Sequence, residues 1–194
     1  MGFTRHIEEL RKSRPSRVEG DRKEFWGQLA QDQSRSNPLL NKSLAKFKKE
    51  GMQPDIAVDL GCGNSGPAID LLKDGWEVIA VDNSEQVLAN LRRSVCAVDQ
   101  SWITTGRLRL VCEDMETYQF PKDVRIILAK DSFPYCDPKK FKIIWGRIYD
   151  SLGVGGCIIE NLFPMPEIPA SAMIGDPDLI RAMMTISMNR SLGM

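Results

Sequence analysis

Five short apolar runs punctuate the chain from Asp55 onward: "IAVDL", "EVIAV", "RLRLVCED", "VRIILAKD" and "GCIIENLF". Val, Ile and Leu follow one another in these runs with little polar alternation, the pattern of strands buried on both faces. Helical stretches separate most of them. "PAIDLLKD" is opened by Pro67 and closed by Gly75, "SEQVLANLRR" is capped by Asn83 or Ser84, and "PKKFKIIWGRIYDSL" is amphipathic and stops at Gly153. The pattern predicts an α/β fold with a doubly wound, mainly parallel sheet covered by helices on both faces. Upstream, "PLLNKSLAKFKKEG" predicts one more helix. Asn37 is its N-cap, Pro38 its first turn, Leu40, Leu44 and Phe47 its apolar stripe, and Gly51 its stop. The 194 residues suffice for one domain with a real core. We divide them into an N-terminal helical arm or lid, 1–50, with a helix near "DRKEFWGQLA", and a ligand-binding domain, 51–194.

Charge and cysteine usage narrow the function classes. Basic and acidic side chains balance at 26 each, so no global field favours nucleic acid. The N-terminus alternates charges without an apolar core, so neither a signal peptide nor a membrane partner is expected. The Met-Gly start carries His6 where a myristoylation site needs Ser or Thr. The five cysteines form no C-x-x-C pair, and His6 is the single histidine. No metal site and no Cys-His catalytic pair are expected. Most of the cysteines read as small core residues, and their scatter suits a reducing cytoplasm.

The first strand runs directly into "DLGCGNSGPA", where Gly61, Gly63 and Gly66 spell G-x-G-x-x-G. In sheets of this kind ligands bind beyond the C-terminal strand ends. The glycines permit a tight turn and close approach of a ligand, and the following helix N-terminus favours negative charge. The second strand ends in Asp82, a carboxylate able to accept both hydroxyls of a ribose. To this point a nicotinamide and an adenosyl cofactor fit equally well. Asp59 separates them. A fixed anion beside a pyrophosphate is repulsive, whereas the ammonium of S-adenosylmethionine welcomes one. The third strand ends in "CEDMETY", where Asp114 can accept from an adenine amino group and Met115 can pack on its face.

"VDLGCGNSGPA", "VIAVDNS", "VCEDME" and "LGVGGCIIENLF" resemble successive motifs of the class I S-adenosylmethionine-dependent methyltransferases, a Rossmann-like family, over about Asp55 to Pro164. The resemblance implies S-adenosyl-L-methionine as cofactor. It implies that Asp59 and the loop Gly61–Gly66 hold the methionine part, Asp82 the ribose, and Asp114 with Met115 the adenine. The residues assigned to the cofactor are Asp59, Gly61, Cys62, Gly63, Asp82, Asn83, Asp114, Met115 and Lys130; Lys130 reads as a solvated or ion-paired residue and not as a catalyst.

The loop "AKDSFPYCDP" faces the donor methyl in that family. It is not the Asn-Pro-Pro-Tyr type that methylates base amino groups, so a small-molecule acceptor is expected and nucleic acid is not. Asp131 is the candidate to orient or deprotonate the acceptor; Tyr135, with Phe133, is the candidate wall of its pocket. The alternatives are a non-catalytic S-adenosylmethionine-binding or interaction protein and an NAD-dependent oxidoreductase. The family's sheet ordinarily closes with an antiparallel strand pair. After Pro164 the sequence offers one helix, about Asp176 to Arg190, and no hairpin signal, as in a truncated or shortened member. The fifth strand then needs cover from the tail, the arm or a second subunit, so a homodimer or marginal solubility is expected.

Overall fold

The computed structural model describes residues 37–63, 66–130, 132–137 and 139–160. The segments read as the N-terminal arm up to Ser36, with Phe25 and Trp26, and as the tail from Asn161 lie outside the described residues. Helix α1, Pro38–Lys49, starts where Asn37 Oδ1 accepts the amides of Leu39 and Leu40 at 3.0 and 3.2 Å. It carries Lys46, Lys48 and Lys49 in its last turn, where cations meet the negative end of the helix dipole, and Gly51 follows at φ +73°. Leu40, Leu44 and Phe47 are buried as their spacing predicts. They pack into the main core, so this stretch, drawn by sequence into the arm, covers the sheet.

Strands β1 (Ile56–Leu60), β2 (Glu77–Asp82), β3 (Leu108–Cys112), β4 (Val124–Leu128) and β5 (Leu152–Ile159) form one sheet of order β3-β2-β1-β4-β5. Every pairing in it is parallel. Helices α2 (Gly66–Lys73), α3 (Glu85–Asp99), the short α4 (Ser101–Thr104) and α5 (Phe141–Ser151) complete the described elements. Alternate residues of each strand serve two cores. Ala57, Val78, Ala80 and Leu128 pack with α1, α2, α3 and Trp102 of α4. Val58, Leu60, Ile79, Val81 and Ile127 face the opposite side, against Phe141, Ile144, Trp145 and Ile148 of α5.

Several boundaries differ from the sequence reading. Helix α3 continues past Arg93 to Asp99, because Val95 extends the stripe of Val87, Leu88 and Leu91 and no breaker intervenes. Helix α5 begins at Phe141 and not at Pro138. Asp137 instead makes a turn, its carboxylate accepting the Lys139 amide at 3.0 Å and its carbonyl that of Lys140 at 2.8 Å. The same helix ends at Ser151, and β5 begins at Leu152, ahead of the expected Gly156. The cysteines are mixed. Cys62 and Cys136 are buried and Cys157 half-buried, while Cys96 and Cys112 are exposed. Cys96 lies off the buried stripe of α3, and Cys112 ends β3, an edge strand of this sheet.

No helix lies between β3 and β4. The connector crosses the α5 side of the sheet in turns, burying Tyr118 and stacking it edge-on against Phe120 with centroids 4.9 Å apart. Its carbonyls still need donors. Arg147 of α5 supplies them, donating to Glu116 O at 2.6 Å and Tyr118 O at 2.9 Å.

Candidate cofactor-binding site

The strand order reverses between β1 and β4, and in open sheets of this kind ligands bind at that switch point, beyond the C-terminal ends of the strands. The glycine loop leaves β1 there. Gly61 and Gly63 both have positive φ, +68° and +53°. The amides of Gly61 and Cys62 donate to Val81 O at 2.8 and 3.0 Å, pinning the turn across the end of β2. The two glycines serve different ends. A side chain at Gly61 would lie 2.6 Å from Ser132 Oγ, whereas one at Gly63 would meet nothing within 4 Å. Ser132 is buried, and its hydroxyl donates to Leu60 O at 2.7 Å, joining the loop after β4 to the end of β1.

Asp59 is 3% exposed, in register with Ala80 of β2 and Leu128 of β4. Asp82 ends β2 half-buried; its Oδ2 accepts the Gly63 amide at 3.1 Å and its Oδ1 the Ser84 amide at 2.9 Å. Burial raises its carboxyl pKa above the ordinary value, and the two amide bonds oppose that rise. Ser84 is the helix cap, its Oγ accepting from Val87, and Asn83 is exposed beside it. Cys62 lies between the acids. Burial first, then the charges of Asp59 and Asp82, push its thiol well above its usual range. Burial likewise pushes Cys157 up to about 11.

Asp114 and Met115 follow β3. Asp114 Oδ1 accepts the Glu116 amide at 2.9 Å and its carbonyl the amides of Thr117 and Tyr118 at 3.0 Å, so it heads a turn. Met115 packs against the α5-side core, and its Cε lies 3.7 Å from the place a Gly61 side chain would take. Lys130 is half-buried, and its carbonyl oxygen lies 3.1 Å from Ser132 Oγ, whose single proton goes to the shorter bond with Leu60 O. Tyr135 is half-buried in a short 3-10 turn, Phe133–Tyr135. Phe133 packs the loop into the α5-side core, with ring centroids 5.5 Å from Phe141 and 5.9 Å from Trp145. Asp131 lies outside the described residues.

Sequence reading missed Ser132, Glu116 and Arg147. Ser132 closes on a loop some seventy residues away, which no local pattern announces. Arg147 carried a signal: it stands beside Ile144 and Ile148, next to a buried stripe. Glu116 accepts the Asp137 amide at 2.7 Å and pairs with Lys140 Nζ at 2.8 Å. Among the described residues no cluster of His, Cys, Asp and Glu could hold a metal ion, and no helix is long and apolar enough to cross a membrane.

A doubly wound parallel sheet with acids at the ends of three adjacent strands and a glycine turn at the first defines a Rossmann-like nucleoside-binding architecture. A family profile described as "Methyltransferase domain" matches residues 57–156, just over half of the chain, and the protein belongs to this family of S-adenosylmethionine-dependent methyltransferases. It is 22% identical over 122 residues to the carboxy-S-adenosyl-L-methionine synthase of Shewanella loihica, a match covering 60% of this chain and 48% of that protein. The chain thus spans about half the length of this curated relative. Among solved structures it resembles the glycopeptide N-methyltransferase MtfA complexed with S-adenosyl-L-methionine (TM-score 0.50, 22% identity, 61% of this chain and 48% of that one). A protein of Pyrococcus horikoshii OT3 matches with TM-score 0.53 and 21% identity, over 70% of this chain and 60% of that one. At these identities the likeness is one of fold.

Proposed function

We propose that the protein transfers the methyl group of S-adenosylmethionine to a small-molecule acceptor. The observation that carries this reading is the alignment of Asp59, Asp82 and Asp114 at the C-terminal ends of β1, β2 and β3, three neighbouring strands. The residues fit the cofactor. Asp59 is a buried carboxyl at the end of β1, suited to pairing with its ammonium. Asp82 has spent one lone pair on each oxygen holding Gly63 and Ser84, which leaves acceptor capacity on both for two ribose hydroxyls. Among the described residues nothing lies within 4 Å of a side chain placed at Gly63, which leaves its backbone open to a close ligand. Asp114 and Met115 are our choice for the adenine end, and Cys62, Asn83 and Lys130 for further contacts with the cofactor.

When bound, the cofactor supplies a methyl group already activated by the sulfonium. The chain must hold the donor, align the acceptor and keep water out. Asp131, immediately before Ser132, is our choice for orienting the acceptor or taking its proton, and Tyr135 for flanking it. The scattered cysteines, which suit a reducing cytoplasm, and the charge balance, which favours no nucleic acid, support a cytoplasmic enzyme acting on a small molecule.

Calorimetry with S-adenosylhomocysteine and with NAD tests the donor site. S-adenosylhomocysteine binds and NAD does not, and Asp82→Ala weakens binding about tenfold or more, a loss of roughly 1.4 kcal/mol. Binding of NAD in its place, or unchanged affinity in Asp82→Ala, overturns the reading. A screen of acceptors with labelled donor then separates an enzyme from a non-catalytic binder, and Asp131→Asn tests the acceptor role.

A further inference from the structure

We propose that Glu116 is a positioning residue that couples the cofactor-side loop after β3 to the acceptor-side loop after β4. The inference rests on the donor site proposed above and goes beyond it by joining its two halves. Glu116 is held on the cofactor side by its own backbone: its amide donates to Asp114 Oδ1 at 2.9 Å, so the carboxylate assigned to adenine and the peptide of Glu116 form one turn. Its side chain reaches to the other loop. Oε1 accepts the Asp137 amide at 2.7 Å and Oε2 pairs with Lys140 Nζ at 2.8 Å. Its carbonyl is gripped by Arg147 at 2.6 Å, which fixes the turn against α5.

The bond to the Asp137 amide is the decisive one. It is short and charge-assisted, and it ends on the backbone of the loop that carries Ser132 and Tyr135. The Lys140 pair is half exposed at the lysine and contributes less. Ser132, at the other end of the same loop, is tied to Leu60 at the close of β1. The loop between them is therefore suspended from two parts of the donor site. A ligand that draws on Asp114 tightens the turn in which Glu116 sits, and through its carboxylate the acceptor-side backbone.

Hydrogen exchange on the full chain, with and without S-adenosylhomocysteine, tests this. In the wild-type protein the ligand slows exchange in 113–117 and in 132–137, by about tenfold or more. In Glu116→Ala, protection of 113–117 persists and ligand affinity stays within about threefold, but the ligand-induced protection of 132–137 is lost. Glu116→Gln keeps an oxygen for the Asp137 amide and restores part of that protection, which a loss of packing alone would not do. Ligand-induced protection of 132–137 that survives Glu116→Ala overturns the coupling. So does faster exchange throughout α5 in the free variant with no rescue by Glu116→Gln, which would make Glu116 a stabilising contact only. Protection of 113–117 without 132–137 in the wild type sinks the coupling and leaves the donor site standing. No protection of either refutes the donor site itself, and the coupling with it.

Discussion

At the scale of single residues the glycine loop separates fold from function. Gly61 and Gly63 both occupy the left-handed region, where a side chain costs about 1–3 kcal/mol. Only at Gly61 does the new carbon also collide, 2.6 Å from Ser132 Oγ. Gly61→Ala is therefore expected to lower the melting temperature more than Gly63→Ala, and Ser132→Ala on the Gly61→Ala background to recover part of the loss. In the proposed site Gly63→Ala would put its methyl where the ligand is expected, so it should weaken S-adenosylhomocysteine more than it weakens the fold. Equal stability losses with no difference in binding would refute the division. Asp82 yields a pH test. Burial raises its folded pKa, so its contribution to stability is full below the unfolded value and is lost as pH rises through the folded one. Binding runs the opposite way, because only the ionised carboxylate accepts two hydroxyls. Affinity for S-adenosylhomocysteine should fall in mildly acidic buffer, before an ordinary aspartate would titrate, and Asp82→Asn should bind weakly with no such fall. Constant wild-type affinity down to the ordinary aspartate range would contradict it. Asp59, Asp82 and the glycines were legible in sequence because their chemistry is local: an acid or a glycine at a strand end. Ser132 was not, since what it does depends on Leu60 and Gly61, distant in the chain and adjacent only in the fold.

At the scale of elements the sequence located each strand and each long helix from apolar period and breakers, and it erred where backbone contacts decide the boundary. Strand β5 is the clearest case. Between Val124↔Leu152 and Ile126↔Cys157, β4 advances two residues while β5 advances five, so Gly153 to Gly156 form an excursion within the strand. Glycines are required there by proximity. A side chain at Gly156 would stand 2.7 Å from Val124 O, and one at Gly153 would stand 3.1 Å from Asp123 Cα. A glycine-rich stretch reads as a loop in sequence, which is why the strand was expected to start only at Gly156. Gly156→Ala must push apart two paired backbones and is expected to cost about 1–3 kcal/mol, in the range of overpacked cores. Gly146→Ala is the control, since a side chain there meets nothing within 4 Å and the site lies within α5. Denaturant melts of the two variants check this, and equal or reversed stabilities would refute the tight register. The connector between β3 and β4 was illegible for a related reason. Its order comes from Arg147 of α5, some thirty residues on, and from the burial of Tyr118 in the α5-side core, contacts of tertiary origin.

At the scale of the whole molecule the two edges of the sheet are unlike. Strand β3 has five residues and presents Arg109, exposed, near its start, a charge that discourages pairing with another chain. Strand β5 has eight residues, LGVGGCII, with no charged side chain, and Val154 in its excursion is 95% exposed. Among the described residues β5 pairs only with β4, so its outer edge is the better template for a further strand. An outer edge left open in the full chain would pair with a second copy, so the prediction to test is a homodimer built along β5. Sedimentation of the full chain should show a concentration-dependent dimer. Val154→Lys places a charge on that edge without touching either core. It should shift the equilibrium to monomer while changing stability by no more than about 0.5 kcal/mol, the usual range for a surface substitution. A wild-type chain that sediments as a monomer at every concentration, with one sharp thermal transition, would mean that the edge of β5 is covered from within its own chain. A dimer untouched by Val154→Lys would move the contact away from β5 altogether.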